Sequence, residues 1–296
     1  MNAKYRYLSK ELILALFIAI LGLSMSQSCK TWVPAQSITA GQSESFFKGF
    51  TYSGKFLDVS GETEDARATF WKPDGTIIFI AGRITNNLVA YKVNEPWQVN
   101  SAEFLVQVNI PGEFQHGIYF REDGKMMWVF DRTSIWTYNL GRAWDITTIS
   151  EGLNTDLSAF MQRGHDIDFK PDGTILFIDD RNAGVIFEVS LSIPWDVATG
   201  TLSFTLDISD QQKEVRGIEF VKDGKIMMLM DTGRNEVLQY NLFKPWDIST
   251  AVFTNTYDVS NLTSQGRGLS FSAHENIMYI TGRDENKVFQ LEIFIP

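Results

Sequence analysis

One phrase recurs along this 296-residue chain, and its period limits what the chain can become. The stretch "FKPDGTILFIDDRNAGVIFEVSLSIPWD", Phe169 to Asp196, is answered by "FVKDGKIMMLMDTGRNEVLQYNLFKPWD", Phe220 to Asp247. Alignment on this phrase gives five copies, whose turn residues are Gly75, Gly124, Gly173, Gly224 and Glu275, at steps of 49, 49, 51 and 51 residues. A period near 50 belongs to repeat architectures, in which each unit buries its apolar surface only against its neighbours.

Each copy carries the same elements. The first strand is "RGIEF" at Arg216, matched by "HGIYF" at His116, "HDIDF" at His165, "RGLSF" at Arg267 and, more divergently, "RATFW" at Arg67. The turn "KPDG" sets Pro, Asp and Gly in the order of a tight hairpin, so a second, antiparallel strand must follow. That strand is almost wholly apolar, as in "TIIFI" at Thr76 and "KIMMLM" at Lys225, which predicts burial on both faces. A third strand ("EVLQYNL" at Glu236) runs into Pro-Trp-Asp, where Pro ends the strand, Trp covers an apolar edge and Asp can bond its own backbone two residues on. A fourth strand closes with "LDIS" at Leu206, "YDVS" at Tyr257, "TDLS" at Thr155 and "VQVN" at Val106. Four antiparallel strands repeated five times predict an all-β, five-bladed β-propeller.

The last copy stops at Pro296, before its Trp signature and its fourth strand. The missing strand is at the other end: "LDVS" at Leu57 precedes Arg67 as "LDIS" precedes Arg216, so the N-terminal strand is expected to join the C-terminal blade. This closure leaves no gap between blades and caps the edges that would invite aggregation. The propeller is assigned to residues 46–296 and a linker to 30–45. Residues 1–29 have a charged start (Lys4, Arg6, Lys10), an apolar run from Leu12 to Leu23 and a small polar stretch, the pattern of an export signal or an N-terminal anchor. Cys29, the single cysteine, is a candidate lipidation site there and rules out an internal disulfide framework.

With 26 Lys and Arg against 36 Asp and Glu, the net charge of −10 disfavours nucleic acid as a partner, and membrane contact is expected only through the N-terminal segment. The chain has no phosphate-binding Walker loop and no G-x-S-x-G nucleophile elbow. Asn261-Leu262-Thr263 matches a glycosylation acceptor and is read as chance.

Units of the form R-G-[IL]-x-F-x-x-D-G, ending in P-W-D-[IV]-[ST], resemble a short β-propeller repeat of bacterial and phage proteins, itself similar to NHL, YVTN and gluconolactonase-like propellers. The resemblance covers about 250 residues. It implies the fold, and a secreted protein or one of a virion or tail. Propellers host both binders and enzymes, so it fixes no activity.

Two sets of basic residues stand out. Arg67, His116, His165, Arg216 and Arg267 open the first strands, and Arg83, Arg132, Arg181, Arg234 and Arg283 follow the second. Antiparallel pairing puts both sets on one face. The functional reading is a ligand-binding face for a glycan or protein partner bearing anionic groups, which Arg engages as a planar fork. The competing reading pairs these side chains with Asp131, Asp179, Asp180 and Asp231 as clamps between blades. The shared position of His116 and His165 argues against a catalytic histidine, and His274 sits in a turn. Residues that break the repeat are Asp168 and Glu219, with Asp166 and Asp179 nearby. Carboxylates around a propeller channel are how gluconolactonase-like enzymes hold a divalent cation, so the resemblance makes Asp168 and Glu219 candidate metal ligands. The expectation is an exported binding or structural module without a required cofactor, at a periplasmic, cell-surface or virion location. The alternative is a metal-dependent lactonase or hydrolase.

Overall fold

The computed structural model describes residues 33–34, 36–37, 47–110, 115–212 and 214–294. Cys29 and the export or anchor segment lie outside the described residues.

Five sheets of four antiparallel strands form the propeller. Blade one comprises Ala66–Trp71, Ile77–Gly82, Asn87–Val93 and Ala102–Asn109. Blade two comprises Gly117–Phe120, Met126–Asp131, Ser134–Asn139 and Leu153–Asp156. Blade three comprises Ile167–Phe169, Ile175–Asp180, Val185–Leu191 and Gly200–Asp207. Blade four comprises Val215–Val221, Ile226–Asp231, Glu236–Leu242 and Ala251–Asp258. Blade five takes Gly266–Phe271, Ile277–Gly282 and Lys287–Phe294 from the C-terminus and Gly49–Asp58 from the N-terminal side. Asp58 pairs with Lys287 and Gly49 with Phe294, so the expected closure is present. Within the stretch read as a linker, Val33–Pro34 and Gln36–Ser37 add short parallel pairings to the outer strands of blades three and four.

Burial on both faces of the second strands produces one contact repeated around the ring. A central residue of a second strand meets an aromatic at or next to the end of the next blade's inner strand. Phe79 meets Phe120 at 4.4 Å between ring centroids, Trp128 meets Phe169 at 4.8 Å and Phe177 meets Phe220 at 4.2 Å. Met228 and Phe271 share a core cluster at the next junction. Tyr279 then meets Trp71 at 4.6 Å, which joins blade five back to blade one.

The Trp signature has a sharper role than covering an edge. Trp97, Trp144, Trp195 and Trp246 all take the left-handed conformation, with φ between 62° and 69°. Each lays its indole on the hairpin glycine of its own blade and donates its backbone N–H to that glycine's carbonyl, as Trp195 does to Gly173 at 2.9 Å. A Cβ on Gly173 would lie 2.4 Å from that indole. Copy five lacks the Trp, and its turn tolerates Glu275 at φ 50°. The Asp of the signature behaves as expected: Asp145, Asp196 and Asp247 each cap a single 3-10 turn by accepting from the backbone N–H two residues on.

Candidate functional site

Five inner strands crowd around the axis, and the glycines that follow the opening Arg or His, Gly117, Gly217 and Gly268, press on the next blade's inner strand. A Cβ on Gly217 would come within 2.8 Å of the Arg267 carbonyl, and one on Gly268 within 2.7 Å of the Arg67 carbonyl. This explains the Gly of "RGIEF" and "RGLSF". In blades one, four and five the strand register shifts at this Arg-Gly or Arg-Ala step, between Ala66 and Thr69, Val215 and Ile218, and Gly266 and Leu269. Such a bulge re-aims a side chain away from the sheet. Here it turns Arg67, Arg216 and Arg267 toward one mouth of the ring.

The partners of these arginines differ from the carboxylates expected from the sequence. Asp65 Oδ2 accepts from Arg67 Nη2 at 2.6 Å and Arg83 Nη1 at 3.2 Å, and its Oδ1 accepts from Arg283 Nε at 3.0 Å. Glu214 takes Arg216 Nη2 at 2.6 Å and Arg181 Nη1 at 3.2 Å. Asp179 and Asp180 are occupied elsewhere: Asp179 Oδ1 accepts from the backbone N–H of His165 and Asp166, and Asp180 from those of Gln162, Arg163, Asn182 and Ala183. Asp231 lies 3.9 Å from Arg234, whose Nη1 donates to the Gln211 carbonyl. Sequence reasoning missed Asp65 and Glu214. The signal was the spacing Asp65-x-Arg67, Glu214-x-Arg216 and Gln265-x-Arg267, in which the acceptor stands two residues before each Arg.

Arg267 departs from the pattern. Its Nη2 donates to the neutral amide of Gln265 at 2.6 Å, and its Nε and Nη1 are buried with no partner among the described residues. The side chain is only 3% exposed. Burial, then the charges of Arg216 and Arg67, push its guanidinium down to about 8. Arg67 Nε and Nη1 are orphaned in the same way, and burial lowers that group to about 10. Two carboxylates thus serve five guanidinium groups, and a sixth has none.

His116 and His165 complete the ring. Their Nδ1 atoms lie 3.0 Å apart with the rings nearly perpendicular, and both Nε2 atoms are buried without a partner among the described residues. Burial, followed by the charges of Arg67, Arg132, Arg83 and Arg216, pushes His116 down to about 2; burial and His116 push His165 well below its ordinary value. Both are therefore neutral. Of the ten basic residues singled out in the sequence, Arg67, Arg83, Arg181, Arg216, Arg267, Arg283 and the two histidines belong to this cluster, while Arg132 acts on it through its charge and Arg234 stands at the rim.

The repeat-breaking carboxylates have a different task. Asp168 accepts from its own strand at Phe169 N–H (2.7 Å) and from blade four at Phe220 N–H (2.8 Å). Asp166 does the same with Ile167 (3.0 Å) and Ile218 (3.2 Å). They cap backbone donors that an inner edge strand leaves unpaired. Burial holds Asp168 up to about 7, and Glu219 beside it is also raised, by burial and by the Asp168 charge. Among the described residues, no three His, Cys, Asp or Glu side chains stand close enough together to hold a metal ion.

No protein-family model matches the chain, and no curated protein matches it in sequence. Solved structures match in fold. A hydrazine synthase of Kuenenia stuttgartiensis superposes with a TM-score of 0.50 at 11% identity, over 78% of this chain and 84% of that one. The β-propeller domain of Myceliophteria thermophila Cps50 (Swd1) gives 0.47 at 9% identity, over 77% of this chain and 82% of that one. The periplasmic gluconolactonase PpgL of Pseudomonas aeruginosa gives 0.47 at 13% identity, over 77% of this chain, which spans 65% of the gluconolactonase chain. The chain is a five-bladed β-propeller, a fold that serves binding and structural modules as well as lactonase-like enzymes.

Proposed function

We propose that this propeller is a binding module of the cell envelope, cell surface or a virion, and that it captures an anionic group of a glycan or protein partner at its arginine-lined mouth. The observation that carries this reading is Arg267, a buried guanidinium with two orphaned nitrogens and no carboxylate. A buried charge without a counter-ion costs several kcal/mol, and an arriving anion recovers that cost. Arg283 and Arg83, which are 37% and 29% exposed, give the ligand a way in past the buried Arg67. Asp168 and Glu219 serve as packing groups between blades three and four in this reading.

Replacement of Arg267 by Met, similar in volume and uncharged, separates binding from folding. Without added anions, the variant is expected to match or exceed the parent in denaturant stability, by up to about 3 kcal/mol. Titration calorimetry with phosphate and with acidic oligosaccharides should give heat for the parent and at least a tenfold weaker response for Arg267→Met. Equal binding by both proteins would reject the mouth as the site.

A further inference from the structure

The histidine pair says more about the ligand than the arginines do, and what it says rests on the anion reading above. At 3.0 Å, the Nδ1 atoms of His116 and His165 share one hydrogen bond. Two neutral imidazoles can do so only as opposite tautomers: one donates Nδ1–H and keeps a bare Nε2, while the other accepts at Nδ1 and carries Nε2–H. Both Nε2 atoms are buried, and neither has a partner among the described residues. The pair therefore offers one donor and one acceptor in the midst of guanidinium groups that offer only donors. Both side chains are at least nine-tenths buried, His116 at 4% exposure and His165 at 3%. An oxyanion with no proton, such as sulfate or a simple carboxylate, satisfies the arginines and the Nε2–H but leaves the bare Nε2 without a donor. A buried acceptor left without a donor in that position disfavours such an ion relative to one that can donate.

We propose that the mouth is selective for an oxyanion that also carries a hydroxyl, whose charged oxygens meet Arg67 and Arg267 while its O–H donates to the bare Nε2 of the His116–His165 pair. Monohydrogen phosphate and a hydroxy-carboxylate both have this chemistry, and two matched pairs of probes distinguish them. Phosphate differs from sulfate by its proton, and glycolate differs from acetate by its hydroxyl.

Titration calorimetry of the intact protein at pH 7 and constant ionic strength should show at least tenfold tighter binding of phosphate than sulfate, of glycolate than acetate, or of both. A preference within the first pair alone assigns a phosphate group, and one within the second alone a hydroxy acid. His165→Phe should reduce this preference to less than threefold while anion binding persists. If sulfate and acetate bind as well as their counterparts, the hydroxyl requirement is wrong and the anion site stands. If none of the four binds, both ideas fall. A second measurement does not depend on any variant folding. The chain has three histidines, so histidine-selective 15N labelling resolves each ring. One Nδ1–H and one Nε2–H tautomer are expected for His116 and His165, and two rings of the same tautomer would overturn the proposal.

Discussion

Asp179 shows how a single buried carboxylate makes stability depend on pH. It is fully buried, its Oδ1 holds the backbone of His165 and Asp166, and its Oδ2 has no partner among the described residues. Burial raises it from 3.8 to about 7. Between pH of about 4 and about 7 the unfolded chain releases this proton while the folded chain keeps it, so this residue's contribution falls as pH rises and is constant above about 7. Asp179→Asn removes that loss. Urea denaturation at pH 5 and pH 8 should find the variant gaining on the parent by about 1 to 3 kcal/mol at the higher pH. Parallel behaviour of the two proteins would mean that Asp179 is ionised in the folded state. The histidine pair works in the opposite sense. Its lowered values mean that the unfolded chain takes up protons first, so stability falls as pH drops below about 6.5.

At the scale of the element, the hairpin glycine and the signature Trp act as one unit. Gly173→Ala meets both a φ of 72° and the Trp195 indole 2.4 Å from the new Cβ, and should cost about 2 to 4 kcal/mol in thermal or denaturant unfolding. Combined with Trp195→Ala, it should cost less than the sum of the two by at least about 1 kcal/mol, because the clash disappears with the ring. Strict additivity would show that the glycine answers to backbone conformation alone. The pairing was present in the sequence, since the one copy without Trp is also the one with Glu275 in place of Gly. Strand order, hairpins and Asp caps were legible because the recurring apolar runs and the turn chemistry between them are local. The bulges at Arg67, Arg216 and Arg267 were not, because they arise from the close approach of the inner strands. Asp65 and Glu214 were missed for a related reason: they precede the strands in loops, where no periodicity marks them.

For the whole molecule, the ring stands on the pairing of Gly49–Asp58 with Lys287–Phe294 and on the contact of Tyr279 with Trp71. Removal of the residues through Asp58 would leave the third strand of blade five with an open edge, and open edges recruit other chains. The shortened protein is expected to associate on size-exclusion chromatography and to lose a single cooperative unfolding transition. A monomer that unfolds in one step would contradict the need for closure. Blade count, closure and the two sets of basic residues were readable from the repeat, whereas the guanidinium left without a carboxylate was not, because that depends on how the inner strands pack. The mouth collects Arg67, Arg216 and Arg267 from blades one, four and five, so a ring of any other size would not assemble it. The most direct test is a crystal structure of the protein with arsenate, a protonated oxyanion visible by its anomalous scattering. An anomalous peak within hydrogen-bonding distance of Arg267 and Arg67 is expected, with an arsenate oxygen beside His116 or His165. Well-ordered arsenate elsewhere, with only water at the mouth, would contradict the anion site.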